Sequence, residues 1–154
     1  MRASDRRAHR GEGRSRWAVA HLVGAPIPVP IASVVDPRIG AHGPALIAHE
    51  DGTVFPGIAF GAPVAGGGDL VANTSQTGYQ EVCTDPSYAG QVVAMTYPLI
   101  GNYGRRVEDD QSERPWLRAL VVAHATAAVD EPGRQIVHLL RSAGVAAIAG
   151  VDTR

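Results

Sequence analysis

Asn73-Thr-Ser-Gln-Thr-Gly-Tyr-Gln-Glu-Val-Cys-Thr-Asp-Pro-Ser-Tyr88 and Ala89-Gly-Gln-Val-Val-Ala-Met-Thr-Tyr-Pro-Leu-Ile-Gly-Asn-Tyr-Gly104 form one continuous stretch that decides the fold. Hydroxyls, amides, aromatics and turn residues crowd it more densely than a plain surface loop or a plain core would. Thr77-Gly78-Tyr79-Gln80 sets a hydroxyl and an amide at the spacing of a capping box, which predicts a short helix starting there. Thr84-Asp85-Pro86-Ser87 then ends the helix in a tight turn. Gln91 to Tyr97 reads as a strand, stopped by Pro98.

Working outward from this stretch, the pattern stays structural. Upstream, Ala45 to His49 is a short strand. Glu50-Asp51-Gly52-Thr53 carries the Asp-Gly signal of a hairpin, because both positions tolerate positive φ. The return strand is Val54 to Phe60, and Pro56 places it at a sheet edge, since proline cannot donate to a ladder. Gly66-Gly67-Gly68 reads as a flexible turn and Asp69 to Asn73 as a third strand. Downstream, Leu117 to His124 is a strand with Leu120, Val121 and Val122 as its buried run. Asp130 can cap a helix whose first turn holds Pro132. Ile136, Leu139 and Leu140 give that helix an apolar face, Gly144 stops it, and Val145 to Val151 is a closing strand. Strands early, a helix late and a strand after it predict a mixed α/β fold.

Composition narrows the class. The 154 residues suit one domain with or without a tail, and 45% hydrophobic content suffices for a core. A formal charge of -1 leaves no overall electrostatic footprint for nucleic acid. All 14 basic residues are Arg, which we read as coding bias and not as phosphate binding. Cys83 is the only cysteine, so neither an internal disulfide nor a multi-Cys metal site can form. That suits a reducing, cytoplasmic setting. The six histidines (9, 21, 42, 49, 124, 138) are scattered, with no pair at the helical spacing of a metal site. Gly66-Gly67-Gly68 lacks the Lys-Ser/Thr of a phosphate-binding loop. No apolar run is long enough to span a membrane.

Residues 1–44 differ from the rest. Met1 to Arg16 carries Arg2, Arg6, Arg7, Arg10, Arg14 and Arg16 against Asp5 and Glu12. The apolar stretch that follows is broken by Pro26, Pro28 and Pro30, which favour extended chain over helix. Three readings compete: a targeting peptide, a basic arm for an acidic partner, and a disordered or misassigned extension with the domain proper beginning near Ala45. Basic, Pro- and Gly-containing tails seldom bury a core, so the expected division is an extension over 1–44 and a domain over 45–154.

The segments NTSQTGYQE, TDPSY and MTYPLIGNYG, in this order and spacing, resemble the small, glutamine-handling subunit of carbamoyl-phosphate synthetase. The similarity continues more loosely from Ala45 to Val151-Asp152-Thr153-Arg154. The resemblance implies a compact three-layer β/β/α domain of the swivelling type, with mixed sheets. In the full subunit this domain precedes a glutamine amidotransferase domain. The implied function is the N-terminal domain of a glutamine-dependent synthase that makes carbamoyl phosphate, with this domain docking on the large subunit and bordering the glutamine pocket. The rival, from another class, is a stand-alone non-catalytic binding module that kept the fold. A swivelling phosphohistidine carrier needs a glycine-rich loop ending in Ser-His, which is not found here.

An amidotransferase needs an activated Cys in a strand-turn-helix elbow. Cys83 has no glycines around it to build one, and reads as a small buried hydrophobe. The resemblance assigns the nucleophile and its His and Glu partners to the second domain, so no catalytic residue is expected on this chain. It also places ATP and metal ions on the large subunit, leaving this chain without a cofactor. Ser87 is the one site residue carried over: in this family the serine of TDPSY helps hold substrate glutamine. The competing reading is that Ser87 merely closes its turn. Thr74, Ser75, Thr77, Tyr79, Gln80, Asn102 and Tyr103 have two uses open to them. They either satisfy buried backbone groups or line the interface with the large subunit, where tyrosines are favoured. Two departures from the family pattern are Ala119, where glycine is usual, and the segment Ala123 to Pro132, which lacks the usual polar and arginine-bearing character.

Overall fold

Small apolar residues at alternate positions let seven strands close on themselves around a narrow core. The computed structural model describes residues 16–22, 30–127 and 132–154, apart from the side chain of Pro132. In chain order the elements are β1 (Arg16–His21), α1 (Ile31–Val34), β2 (Gly43–His49), β3 (Val54–Ala59), β4 (Gly66–Asn73), α2 (Tyr79–Thr84), β5 (Val92–Met95), β6 (Leu99–Ile100), β7 (Ala119–Val121), β8 (His124–Ala125), α3 (Ile136–Ser142) and β9 (Ala146–Ala149). The barrel order is β1-β2-β3-β9-β7-β5-β4, and β4 returns to β1. Strands β4, β5, β7 and β9 run parallel, and the remaining barrel pairings are antiparallel. β6 and β8 form a separate parallel pair.

Two cores follow from the two-residue side-chain period of the strands. Val19, Ala45, Ile47, Ala59, Val92, Ala94, Val121 and Ile148 fill the barrel interior. The other face of β3, β9, β7 and β5 meets the helices through Ile58, Val93, Leu120, Ala147 and Ala149, against Val82, Cys83, Ile136 and Leu140. Sheet packs on sheet and sheet on helix, so the architecture is mixed α/β in β/β/α order.

Local expectations hold where local chemistry decides. The Asp51-Gly52 turn joins β2 and β3 as a hairpin, and Thr53 N–H donates to Asp51 Oδ1 at 2.8 Å. α3 ends at Gly144, whose N–H donates to Arg141 O, while Val145 N–H reaches Leu140 O. This double bond pattern satisfies carbonyls that a helix end would otherwise leave free. The expected cap Asp130 lies outside the described residues.

Other expectations are corrected by long-range pairing. Gly66-Gly67-Gly68 is not a flexible turn; it opens β4. A Cβ on Gly66 would stand 2.1 Å from Arg118 O, and one on Gly68 2.0 Å from Gly90 O. The glycines are there because two backbones approach too closely for any side chain. β3 is not an edge strand either, since β9 pairs with it at Ile58 and Ala59; Pro56 lies before that contact. The largest correction concerns the expected extension. Arg16–His21 is a barrel strand, and Val19, Val35 and Ile39 are buried. Ala45 therefore lies inside β2, and β1 precedes it in the barrel. Residues 1–15 and 23–29 of that segment lie outside the described residues. Among the described residues no helix is long and apolar enough to cross a membrane.

Candidate functional site

The loop between β4 and α2, the turn after α2 and the segment after β6 come together at one end of the β4–β5 pair. Asn73, the last residue of β4, joins them. Its Nδ2 donates to Tyr88 Oη at 2.9 Å, its Oδ1 accepts from Ser75 N–H at 2.9 Å, and its carbonyl accepts from Thr96 N–H at 2.9 Å. Sequence reasoning left Asn73 out of the site, because a strand-terminal Asn gives no signal of three-way bonding.

α2 starts without the expected capping box. Its N-cap is Gly78 at φ 84°, with no side-chain cap of its own. The cap comes from another element: Tyr103 Oη accepts from Gly78 N–H at 2.6 Å and from Tyr79 N–H at 3.3 Å. The Tyr79 and Tyr103 rings stack at 4.2 Å between centroids. Tyr79 Oη donates to Gly104 O at 2.7 Å and accepts from Tyr103 N–H. Burial holds the Tyr79 hydroxyl well above its ordinary pKa, so it stays a neutral donor.

Gln80 is a two-ended clamp. Its Oε1 accepts from Arg106 N–H at 2.9 Å, while its Nε2 donates to Arg106 O and to Asp110 Oδ1. Asp110 is held in turn by the Arg105 guanidinium. Thr84 Oγ1, donating to Gln80 O, accepts from Gln111 N–H at 2.9 Å.

These contacts sort the seven residues with two open uses. Tyr79 and Gln80 are 1% and 2% exposed, and their side-chain polar atoms bond to the 103–110 segment, which is the first of the two uses. Thr74, Ser75, Thr77 and Asn102 are exposed, as is Tyr103 at 43%. None of these five side chains is charged, and they form a polar edge beside the Glu81 carboxylate, which stands next to Gly78.

Ser87 is exposed in the 3₁₀ turn Pro86–Tyr88, next to this edge through the Asn73–Tyr88 bond. Its N–H donates to Asp85 Oδ1 at 2.8 Å. Hydrogen bonds from Ser87, the hydroxyl first and then the backbone N–H, hold the Asp85 carboxyl below its ordinary value. A cleft of about 340 Å³ opens two residues further on, beside Ala89 and Gly90, with Arg114 and Arg118 on its wall. The Arg114 guanidinium lies 3.7 Å over the Trp116 ring.

Cys83 faces the helix–sheet core and is fully buried. Burial, with Asp110 and Glu81 adding to it, pushes its thiol up to about 12. The thiolate is the nucleophilic form, so Cys83 is a packing residue. Among the described residues no group of three or more His, Cys, Asp or Glu is placed to hold a metal ion.

Comparison with known proteins bears on the same residues. The family model described as "Carbamoyl-phosphate synthase small chain, CPSase domain" matches residues 47–154. The carbamoyl phosphate synthase small chain of Symbiobacterium thermophilum is 51% identical over 110 residues, covering 68% of this chain and 30% of the relative. That of Chlorobaculum tepidum is 49% identical over 113 residues, covering 72% and 31%. That of Thermus thermophilus is 50% identical over 112 residues, covering 71% and 29%. The chain thus spans about a third of the length of these relatives. The matched span contains α2, the Ser87 turn and the whole polar edge, and on that match the chain belongs to the carbamoyl-phosphate synthase small chain family, through its CPSase domain.

Proposed function

We propose that the chain serves as the N-terminal domain of the small subunit of a cytoplasmic, glutamine-hydrolysing carbamoyl-phosphate synthase. That enzyme is a ligase joining glutamine-derived ammonia, bicarbonate and ATP into carbamoyl phosphate for pyrimidine and arginine biosynthesis. The domain docks on the large subunit through Thr74, Ser75, Thr77, Asn102 and Tyr103. Ser87 borders the glutamine pocket of the amidotransferase domain, and ATP with its metal ions binds on the large subunit. The observation that carries this reading is the exposed polar edge, which lies wholly inside the family-matched residues. Tyrosine and amide side chains at such an edge suit a protein interface. The buried, protonated Cys83 supports a scaffolding role for the chain and no glutaminase chemistry of its own.

Co-purification at low salt with a carbamoyl-phosphate synthase large subunit from the same source tests it. The wild-type chain is expected to associate. Ser75→Arg combined with Asn102→Arg, both at exposed positions, is expected to abolish association while leaving the fold intact. The chain alone is expected to release no glutamate from glutamine. Absence of association at high micromolar concentration overturns the docking role and favours a stand-alone binding module. Glutamate release lost in Cys83→Ala overturns the scaffolding role.

A further inference from the structure

β1 stands between two strands that have no other partner on that side. β2 pairs with β1 and β3, and β4 pairs with β1 and β5. Without β1 the remaining strands run β2-β3-β9-β7-β5-β4, an open sheet whose two ends face each other. The gap would be one strand wide, about 10 Å at the usual ~4.8 Å strand spacing. Both of its walls would present unpaired N–H and C=O groups, a template for a further strand.

β1 is held in this gap mainly by its backbone. Its register pairs Trp17 to His21 with His49 to Ala45 on one side, and Arg16 to Val19 with Asp69 to Gly66 on the other. Val19 is its one fully buried side chain. Opposite Val19, Ala18 and Trp17 stand Gly66, Gly67 and Gly68. A Cβ on Gly67 would lie 3.1 Å from Trp17 O. On the β4 wall the backbone of β1 thus approaches closely at Gly67, beside Ala18, while Gly66 and Gly68 face Arg118 O and Gly90 O. β1 also precedes the residues matched to the family, which begin at 47.

We propose that the gap between β2 and β4 is a strand-acceptor site, filled in cis by β1 and open to the β1 of a second copy of this chain, so that two chains form a reciprocally strand-exchanged dimer. The occupant follows from the register: the site takes a six-residue extended segment with an apolar residue at the position of Val19 and a small one at Ala18. A second copy carries that segment in identical form. Exchange of an identical element preserves both ladders and the burial of Val19, so the closed monomer and the exchanged dimer share the same contacts. The proposal does not depend on the synthase reading, because neither the polar edge nor Ser87 takes part in it.

The test uses the full chain. Ala18 and Ala48 are Cα partners across β1 and β2, so Ala18→Cys with Ala48→Cys can lock β1 in cis when oxidised in dilute solution. Cys83 is buried and does not compete. At millimolar concentration the wild-type chain is expected to show a dimer by gel filtration with light scattering. The cis-locked chain is expected to remain a monomer and to regain the dimer on reduction. The double variant oxidised after concentration is expected to run as a covalent dimer on a non-reducing gel. A dimer that forms equally in the locked chain is a surface contact and overturns the proposal, as does a wild-type chain that stays monomeric. A fluorescent peptide with the sequence Arg16–His21, added to the wild-type chain, gives a second readout. Saturable binding that is lost in the oxidised cis-locked chain supports the acceptor site, and binding that the locked chain shows equally overturns it.

Discussion

Ser87 is the residue on which the glutamine-pocket reading is most sharply exposed to test. Its turn is held by its own backbone N–H on Asp85 Oδ1, at 2.8 Å, and by the fixed ring of Pro86. Ser87→Ala keeps both and gives up only the hydroxyl's bond to the Asp85 carboxyl, so the turn is expected to survive. With the chain joined to an intact amidotransferase domain and the large subunit, Ser87→Ala is expected to raise the glutamine requirement while leaving ammonia-dependent synthesis nearly unchanged. A hydrogen bond to a charged group contributes about 1.5–3 kcal/mol, roughly a tenfold to hundredfold rise in the apparent KM for glutamine. Asp85→Ala serves as the contrast, because it removes the acceptor that organises the turn and lowers both activities together. Equal loss of the two activities in Ser87→Ala would remove Ser87 from the site. The turn was legible in the sequence, because Thr-Asp-Pro-Ser is local chemistry. The resemblance assigns the pocket it would border to the amidotransferase domain, so the role of Ser87 came from resemblance alone.

At the scale of the element, α2 shows how a local signal can be overruled. Thr77 stands where a capping hydroxyl belongs, yet the helix begins one residue later and takes its cap from Tyr103, 25 residues beyond Gly78. Gly78 in the left-handed region turns the chain away from Thr77 and aims two N–H groups at the phenol oxygen. Tyr103→Phe removes that oxygen while leaving a ring to stack on Tyr79. The expected cost is that of a lost N-cap, about 1 kcal/mol, read as a fall in Tm of roughly 3–5 °C. An unchanged Tm would mean that water serves both N–H groups as well as Tyr103 does. The same contrast runs through the other elements. The Asp51-Gly52 hairpin and the Gly144 helix stop depend on neighbours in sequence and were legible. Gly66-Gly67-Gly68 depends on Arg118 O and Gly90 O, far along the chain, and the same triplet in isolation reads as a turn. Tyr79 and Gln80 likewise show their buried roles only once the 103–110 segment is folded over them.

At the scale of the whole molecule, the mixed α/β class was legible in the patterning and the β/β/α order came through the resemblance, while barrel closure was not legible. Closure requires β1, whose short sequence RWAVAH alternates in strand fashion but follows an arginine-rich run and precedes spaced prolines. Residues 30–44 were hidden by the same composition, although they carry Val35 and Ile39 into the helix–sheet core. Asp36 fastens that segment. Its N–H donates to Ala125 O at 2.8 Å, its carboxylate accepts from Ala127 N–H at 3.4 Å, and Arg38 pairs with it at 2.8 Å while also reaching Ala127 O. The Arg38 side chain, ahead of the backbone N–H groups of Arg38 and Ala127, draws the Asp36 carboxyl down from 3.8 to about 2. A carboxyl with a lowered folded-state pKa stabilises the fold above its unfolded value and loses that contribution as pH falls through the folded one. Asp36 should therefore contribute fully above about 3.8 and progressively less towards about 2. Asp51, drawn down to about 2 by Thr53 and His49, adds to the same acid limb. Asp36→Asn keeps an acceptor for Ala127 N–H but gives up the charge. Its Tm is expected to lie below that of the wild type at neutral pH, and the two curves are expected to converge as pH falls from about 4 to about 2. Thermal melts across that range decide the matter: curves that stay parallel down to the lowest pH would mean that the Asp36 charge does not fasten the segment.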